Sequence, residues 1–175
     1  MPSTPLTTER LVLRSPVEGD LDAIFRVHGD PATNRFNPTG PHRSTARSRQ
    51  TLNRWMAHWR EHGFGYWSVA LRAAPDEVIG FGGIMYREVD GESRANLYFR
   101  FDPSAWGKGY ATEMANAARD LAFGELDLAE IVATVRPDNA PSIRALERLG
   151  MTHTGDVSDR HGPSRTYVLR RVASP

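Results

Sequence analysis

A glycine-rich turn in the second half of the chain has the composition of a phosphate-binding site. In "WGKGYATEMANAARD" (residues 106–120), the only lysine of the chain lies between Gly107 and Gly109, directly before a helical pattern. Glycine adopts backbone conformations that other residues rarely reach, and a helix N-terminus presents unpaired N–H groups at the positive end of its dipole. Lys108 adds a point charge. The pattern therefore predicts a phosphate cradle, although an exposed tight turn with one lysine would have the same local sequence.

Two familiar phosphate motifs do not fit this turn. A P-loop requires Ser or Thr after its lysine, whereas Lys108 is followed by glycine. A dinucleotide-binding fingerprint requires a third glycine where this chain has Thr112, and it belongs early in a strand–helix–strand unit. Nucleotide hydrolysis and nicotinamide chemistry are therefore poor interpretations.

A strand should deliver the chain to the turn. Residues 94–101 read "RANLYFRF", so Ala95, Leu97, Phe99 and Phe101 alternate with polar residues. This period of two predicts one face packed in the core and the other free for solvent or ligand.

The order of elements along the whole chain predicts a mixed α/β fold. We interpret it as β-α-α-β-β-β-α-β-α-β-β, with "AAPD" (73–76) and "VDGE" (89–92) as hairpin turns. The strand–helix–strand crossover after residue 94 should make its two strands parallel. With no linker or internal repeat, residues 1–175 are predicted to form a single domain.

The composition of the chain argues against several classes of protein function. The net charge is +1, so no broad field attracts nucleic acid or anionic lipid, and no long apolar run predicts a membrane span. The absence of cysteine excludes disulfides and thiol catalysis, and it favours a cytoplasmic location.

Two segments carry motifs in a fixed order, "WGKGYATE" (106–113) and "VRPDNAPSIRALERLGM" (135–151). Together they resemble the GNAT N-acetyltransferases, and within them the ribosomal-protein alanine acetyltransferase (RimJ/RimL-like) branch. The family pattern Arg/Gln-x-x-Gly-x-Gly/Ala falls on Trp106, Gly109 and Ala111, with tryptophan in place of Arg or Gln. The second pattern falls on Asn139, Ser142, Leu146, Glu147, Gly150 and Met151, where Met151 replaces phenylalanine.

The resemblance implies an acetyl-CoA-dependent N-acetyltransferase, with a mostly antiparallel twisted sheet, a splayed central pair of parallel strands and about four helices. It implies direct transfer to a primary amine without metal, and it is compatible with a homodimer. In this interpretation Ser142 replaces a catalytic tyrosine that many members have at the position of Leu146. The residues implied in coenzyme binding are Phe99, Arg100, Phe101, Gly107, Lys108, Gly109, Tyr110, Ala111, Thr112, Asn139 and Ser142.

The residues themselves leave alternatives open. Asn139 and Ser142 would also suit a helix cap, and no carboxylate on the free face of strand 94–101 offers a general base. An α-amine, with a pKa of about 7.7 to 8, needs less help than a lysine-like amine near 10.4, so the missing base weakly favours terminal amines. A small-molecule amine remains an alternative acceptor. A non-catalytic acyl-CoA-binding module would retain the same phosphate turn.

Two further patterns receive ordinary interpretations. His58 and His62 lie four residues apart on one helix face, but no third ligand accompanies them, so we do not expect zinc. The arginines on and just before this helix pattern (residues 44–62) would suit RNA, but a solvated helix face is the better explanation, and we do not expect a nucleic-acid partner. They are Arg43, Arg47, Arg49, Arg54 and Arg60.

Overall fold

The computed structural model describes residues 4–172, and this part of the chain contains eight strands and four α-helices. The strands are β1 (Leu6–Thr7), β2 (Leu11–Arg14), β3 (Tyr66–Leu71), β4 (Ala74–Val89), β5 (Glu92–Phe101), β6 (Glu130–Val135), β7 (Thr152–Asp159) and β8 (Gly162–Arg170). The helices are α1 (Leu21–Gly29), α2 (Thr45–His62), α3 (Tyr110–Asp120) and α4 (Ala140–Arg148).

All strands belong to one sheet, in the order β1-β2-β3-β4-β5-β6-β8-β7. Every neighbouring pair is antiparallel except β5 and β6, which are parallel and joined through α3. This confirms the predicted mixed sheet with one central parallel pair.

Two local features of the sheet differ from the sequence prediction. The short strand β1 was not predicted. The segment 73–76 is not a hairpin turn, because β4 already begins at Ala74. The register between β3 and β4 shifts near Ala70 and Leu71, and such an irregularity accommodates Pro75, which cannot donate to a ladder.

Helices cover both faces of the sheet. On one face, α3 and α4 contribute Met114, Ala118 and Leu146 to a core that includes Leu97 and Phe101 of β5. The opposite face is covered by α1 and α2, and its buried residues are Ile24, Val27, Leu52, Trp55, Tyr66, Val78, Phe81 and Met85. The prediction of a free second face on β5 was therefore wrong, because that face carries its own apolar cluster.

Among residues 4–172, no helix is both long and apolar enough to cross a membrane.

Candidate active site

The two parallel strands separate toward their C-terminal ends. Their register contains one partner pair, Asn96 with Val132, and beyond it β5 and β6 no longer pair. The N–H of Asp102 donates to the carbonyl of Ile79 on β4 (2.8 Å). Because successive residues of a strand point their main-chain groups to alternate sides, those of Phe99 face the gap beside β6. The gap thus offers strand-edge hydrogen-bonding groups to an extended ligand.

Two of the predicted coenzyme residues on β5 are placed differently from Phe99. The carbonyl of Phe101 already accepts the indole N–H of Trp106 (2.9 Å). Arg100 pairs with Phe81 through its main chain, and its side chain donates to Oδ1 of Asn34 (3.0 Å). Arg100 therefore lies on the α1/α2 face, away from α3.

The glycine turn ends in a helix that has no side-chain cap. Gly107 and Gly109 both have positive φ, 72° and 79°, and Gly109 is the N-cap residue of α3. The first helical bond is donated by the N–H of Glu113 to the carbonyl of Gly109 (3.0 Å). In the part of the chain described, the N–H groups of residues 107–112 make no hydrogen bond. These donors are the groups that bind phosphate oxygens at helix N-termini.

Helices α2 and α4 differ from α3 in having a side-chain cap, which α1 also lacks. The side chain of Ser44 accepts the N–H of Arg47 at the start of α2. Oδ1 of Asn139 accepts the N–H of Ser142 (3.3 Å) at the start of α4. The structural interpretation of Asn139 as a helix cap is therefore confirmed for its side-chain oxygen.

Residues 8–10, which we call the N-terminal strap, form hydrogen bonds to the glycine turn and to the first turn of α3. The hydroxyl of Thr8 (2.6 Å) and the main-chain N–H of Arg10 (2.8 Å) donate to one carboxylate oxygen of Glu113. Nε of Arg10 donates to the other oxygen (2.7 Å), and Nη1 donates to the carbonyl of Lys108 (2.8 Å). Burial would raise the pKa of the Glu113 carboxyl, but these hydrogen bonds lower it overall. Glu113 is thus held as a carboxylate.

Sequence reasoning missed this strap. The local pattern at residues 102–120 contains no sign of Arg10, which is 98 residues away from Lys108. Glu113 was interpreted as a favourable charge in the first turn of a helix, which is true but incomplete. The segment "TERLVLR" (8–14) predicts a strand and resembles the usual start of the RimJ/RimL-like branch, but neither feature indicates a contact with the glycine turn.

Ser142 lies near the same edge of the sheet as the glycine turn. Because β5 and β6 are parallel, the helices that follow them, α3 and α4, begin at the same edge, and the two helices are in contact. Ser142 is partly buried, and its hydroxyl has no hydrogen-bond partner within residues 4–172. Leu146 is buried in the core. Ser142 therefore has a hydroxyl available to a ligand, whereas Leu146 has no polar group.

On the α1/α2 face, Tyr98 meets a buried histidine. Nδ1 of His28 lies 3.1 Å from the carbonyl of Ile24, and Nε2 lies 2.7 Å from the hydroxyl of Tyr98. A carbonyl only accepts, so Nδ1 carries the proton and the Tyr98 hydroxyl donates to Nε2. Burial, with the charges of Arg100 and His42, lowers the pKa of His28 to about 3. His28 is thus a neutral acceptor that orients the tyrosine.

His58 and His62 do not form a metal site with each other. Nδ1 of His58 lies 2.8 Å from the carbonyl of Phe64, and Nε2 accepts the N–H of Tyr86 (3.0 Å). Both ring nitrogens are therefore used to join α2 to the sheet.

A mixed sheet with an opened parallel pair, followed by an uncapped glycine turn, is the arrangement of an acyl-coenzyme A-dependent acetyltransferase. The family model described as acetyltransferase (GNAT) domain matches residues 10–152, and the chain belongs to this family. It is similar to the uncharacterized N-acetyltransferase p20 of Bacillus licheniformis, with 30% identity over 155 residues, 88% of this chain and 85% of that protein.

Solved structures agree with this assignment. An acetyltransferase from Agrobacterium tumefaciens str. C58 superposes with a TM-score of 0.83 at 28% identity, covering 98% of this chain and 96% of its own. Spermidine N-acetyltransferase from Vibrio cholerae, solved with CoA and spermine, has a TM-score of 0.73 at 20% identity and covers 93% and 96%. This second similarity concerns the fold. The protein is a GNAT N-acetyltransferase that carries out acetyl-CoA-dependent acetylation, and a non-catalytic coenzyme-binding module is not favoured.

Proposed function

We propose that this enzyme transfers the acetyl group of acetyl-CoA directly to a primary amine in a ternary complex, with the coenzyme pyrophosphate on residues 107–112. The observation that carries the proposal is the contrast between helices. One first-turn N–H of α2 and one of α4 are capped by a side chain, and α1 continues a preceding 3-10 turn, whereas the N–H groups of residues 107–112 have no partner in the described chain. An anion at α3 would satisfy them, with the helix dipole adding to the attraction.

Main-chain and side-chain groups of this protein can supply most of what acetyl transfer requires. The amine nitrogen forms a bond to the thioester carbonyl carbon, the carbon–sulfur bond breaks, and the amine loses a proton to water. Main-chain groups of Phe99 hold the pantetheine arm in the gap beside β6. Ser142 gives its hydroxyl proton to the departing thiolate, which Leu146 cannot do, and regains a proton from the water that accepted the amine proton. Because no carboxylate base is identified, the acceptor is an amine with a sizeable neutral fraction at pH 7, such as an α-amine.

The remaining parts of the proposal follow the sequence prediction. One domain spans residues 1–175, supported by the continuous eight-stranded sheet within residues 4–172. The RimJ/RimL-like branch, a cytoplasmic location and a homodimer stay predictions. The acceptor is a protein N-terminal α-amine or a small-molecule amine.

Two measurements test the proposal in sequence. Acetyl-CoA at 100 times its Kd should raise the free energy of unfolding by about 2.7 kcal/mol, seen as a thermal shift. Release of free CoA thiol on adding a panel of amines then measures transfer. A protein that acetyl-CoA does not stabilise would contradict the coenzyme site, and stabilisation without thiol release for any amine would contradict the enzyme.

A further inference from the structure

Four arginines lie on the side of the sheet that α1 and α2 cover, and three of them (Arg47, Arg54 and Arg87) are exposed while Arg100 is partly buried. Arg47 and Arg54 lie on α2, seven residues apart and therefore on the same side of the helix. Arg87 lies on β4, two residues after Met85, which belongs to the apolar cluster under α2. Because strand residues two apart share a face, Arg87 also faces α2. Arg100 on β5 completes the set, which we call the arginine cleft.

The floor of the arginine cleft is uncharged and polar. The amide of Asn96 donates to the hydroxyl of Tyr66 (2.9 Å), and the guanidinium of Arg100 lies 5.9 Å from the centroid of the Tyr98 ring. Asn96 is also the residue at which β5 and β6 stop pairing. The cleft therefore adjoins the gap in which the proposed function places the thioester.

The positive charges of these arginines affect the pKa values of one another and of shared neighbouring side chains. Desolvation and the positive charges of Arg87 and Arg47 lower the pKa of Arg54. Burial and the charges of Arg47 and Arg100 lower the pKa of His42 to about 4. The principal charges that act on Tyr66 and Tyr98 come from these arginines, and no carboxylate is among them. Arg54 and Arg87 thus act on the same two tyrosines, and Arg100 acts on Tyr98 from further along β5.

No carboxylate neutralises the cleft within residues 4–172. Arg47 and Arg100 reach only the neutral side chains of Gln50 (3.5 Å) and Asn34 (3.0 Å). Some arginines elsewhere are paired with acids, as in Arg14 with Asp20 and Arg94 with Glu130. Unpaired arginines that repel one another gain most from an anionic ligand, which their planar forks bind in bidentate fashion.

We propose that the acceptor is an amine that also carries a carboxylate or phosphate group, and that the arginine cleft binds this anion while the amine faces the thioester. The proposal rests on the proposed function and names its substrate class. A polycationic acceptor such as a polyamine or an aminoglycoside would meet repulsion from four positive side chains, so the cleft selects against it.

Matched acceptors provide the test. Thiol release is measured with acceptors that all carry an α-amine, glycylglycine against glycylglycinamide and O-phosphoserinamide against serinamide, with spermidine as a polycation. A peptide pair, Ser-Asp-Gly-amide against Ser-Asn-Gly-amide, distinguishes a small-molecule source of the anion from a polypeptide source. We expect kcat/KM to be roughly tenfold or more higher for the anionic member of at least one pair, mainly through KM. Equal values within every pair, or a preference for spermidine, would overturn the proposal.

Single substitutions test whether the arginine cleft causes the preference for anionic acceptors. Arg54→Gln and Arg87→Gln should each remove most of the preference, whereas Arg60→Gln removes the same charge from another side of α2 and should leave it unchanged. Binding of O-phosphoserinamide to the CoA-saturated protein, measured by calorimetry, should weaken in the first two variants only. If Arg54→Gln and Arg87→Gln weaken RNA binding but not anion preference, the cleft is a nucleic-acid surface and the proposal is wrong.

The two proposals fail in different ways. If acetyl-CoA does not stabilise the protein, or no amine releases thiol, the proposed function fails. If neutral amines are acetylated as well as their anionic partners, the proposed function stands and the arginine cleft proposal alone is overturned.

Discussion

The guanidinium of Arg10 donates a hydrogen bond to the main-chain carbonyl of Lys108, at 2.8 Å, while its Nε holds the carboxylate of Glu113 at 2.7 Å. One side chain thus fixes both the centre of the glycine turn and the first turn of α3. It also lies 4.7 Å from the centroid of the Tyr110 ring. Arg10, a residue of the N-terminal strap, therefore helps to fix the turn that carries the N–H groups of residues 107–112. We therefore predict that Arg10 is a positioning residue of the proposed coenzyme site.

Replacing Arg10 should weaken coenzyme binding. Arg10→Ala removes a charged hydrogen bond to the turn, and we expect Kd for CoA to rise roughly tenfold, measured by calorimetry. Arg119→Ala is the matched control, because Arg119 pairs with Asp120 at the far end of α3 and contacts neither the strap nor the turn. A double-mutant cycle with Glu113→Gln should show coupling between the two residues. An Arg10→Ala protein with unchanged CoA affinity would contradict the positioning role.

Replacing Gly109 should damage the site more than the fold. A valine at φ 79° is strained, and its Cβ would also lie 3.4 Å from a guanidinium nitrogen of Arg10. We expect Gly109→Val to cost about 1 to 3 kcal/mol of stability and to abolish measurable CoA binding. Gly91→Val, at φ 76° in the β4–β5 turn, carries similar strain without touching the site. If both variants bound CoA equally well, the phosphate assignment of the turn would be wrong.

The structural features that the sequence predicts are mostly formed by residues close together in the chain. The glycine turn, the alternation of β5 and the cap at Asn139 depend on residues close together in the chain, and the mixed sheet follows from the order of such elements. The strap from Arg10 to Lys108 and the arginine cleft depend on contacts between distant segments, for which a single sequence carries no periodic signal. The apolar cover over the second face of β5 was missed because Tyr98 and Asn96 are polar enough to suggest an open surface.

Replacing Ser142 tests the acid role. Ser142→Ala removes the hydroxyl but retains the main-chain N–H that Asn139 caps, so α4 should persist. We expect kcat to fall roughly a hundredfold and the alkaline side of the pH–rate profile to change, with Kd for CoA altered little. Ser93→Ala, at the exposed start of β5, serves as control. Turnover and pH profile both equal to those of the parent protein would exclude Ser142 as the acid.

The buried histidine under Tyr98 should make the protein sensitive to mild acid. In the folded state burial and the positive charges of Arg100, His42 and Arg54 lower the pKa of His28 to about 3, whereas an unfolded histidine titrates near 6.5. The unfolded chain therefore binds the extra proton first as the pH falls. The stability that His28 contributes is complete above about pH 6.5 and is lost toward pH 3, by up to about 1.4 kcal/mol per pH unit.

Urea unfolding between pH 6 and pH 5 measures this pH dependence, to which His28 and His42 both contribute because burial lowers both pKa values, and the His28→Gln variant separates the share of His28. His28→Gln should be less stable at pH 7, since the hydrogen bond from Tyr98 is disturbed, but its free energy of unfolding should depend less on pH across this window. His161→Gln, an exposed histidine in the β7–β8 turn, should leave the slope of the parent protein unchanged. A His28→Gln protein that loses stability as steeply as the parent would show that His28 is not the group held neutral by the fold.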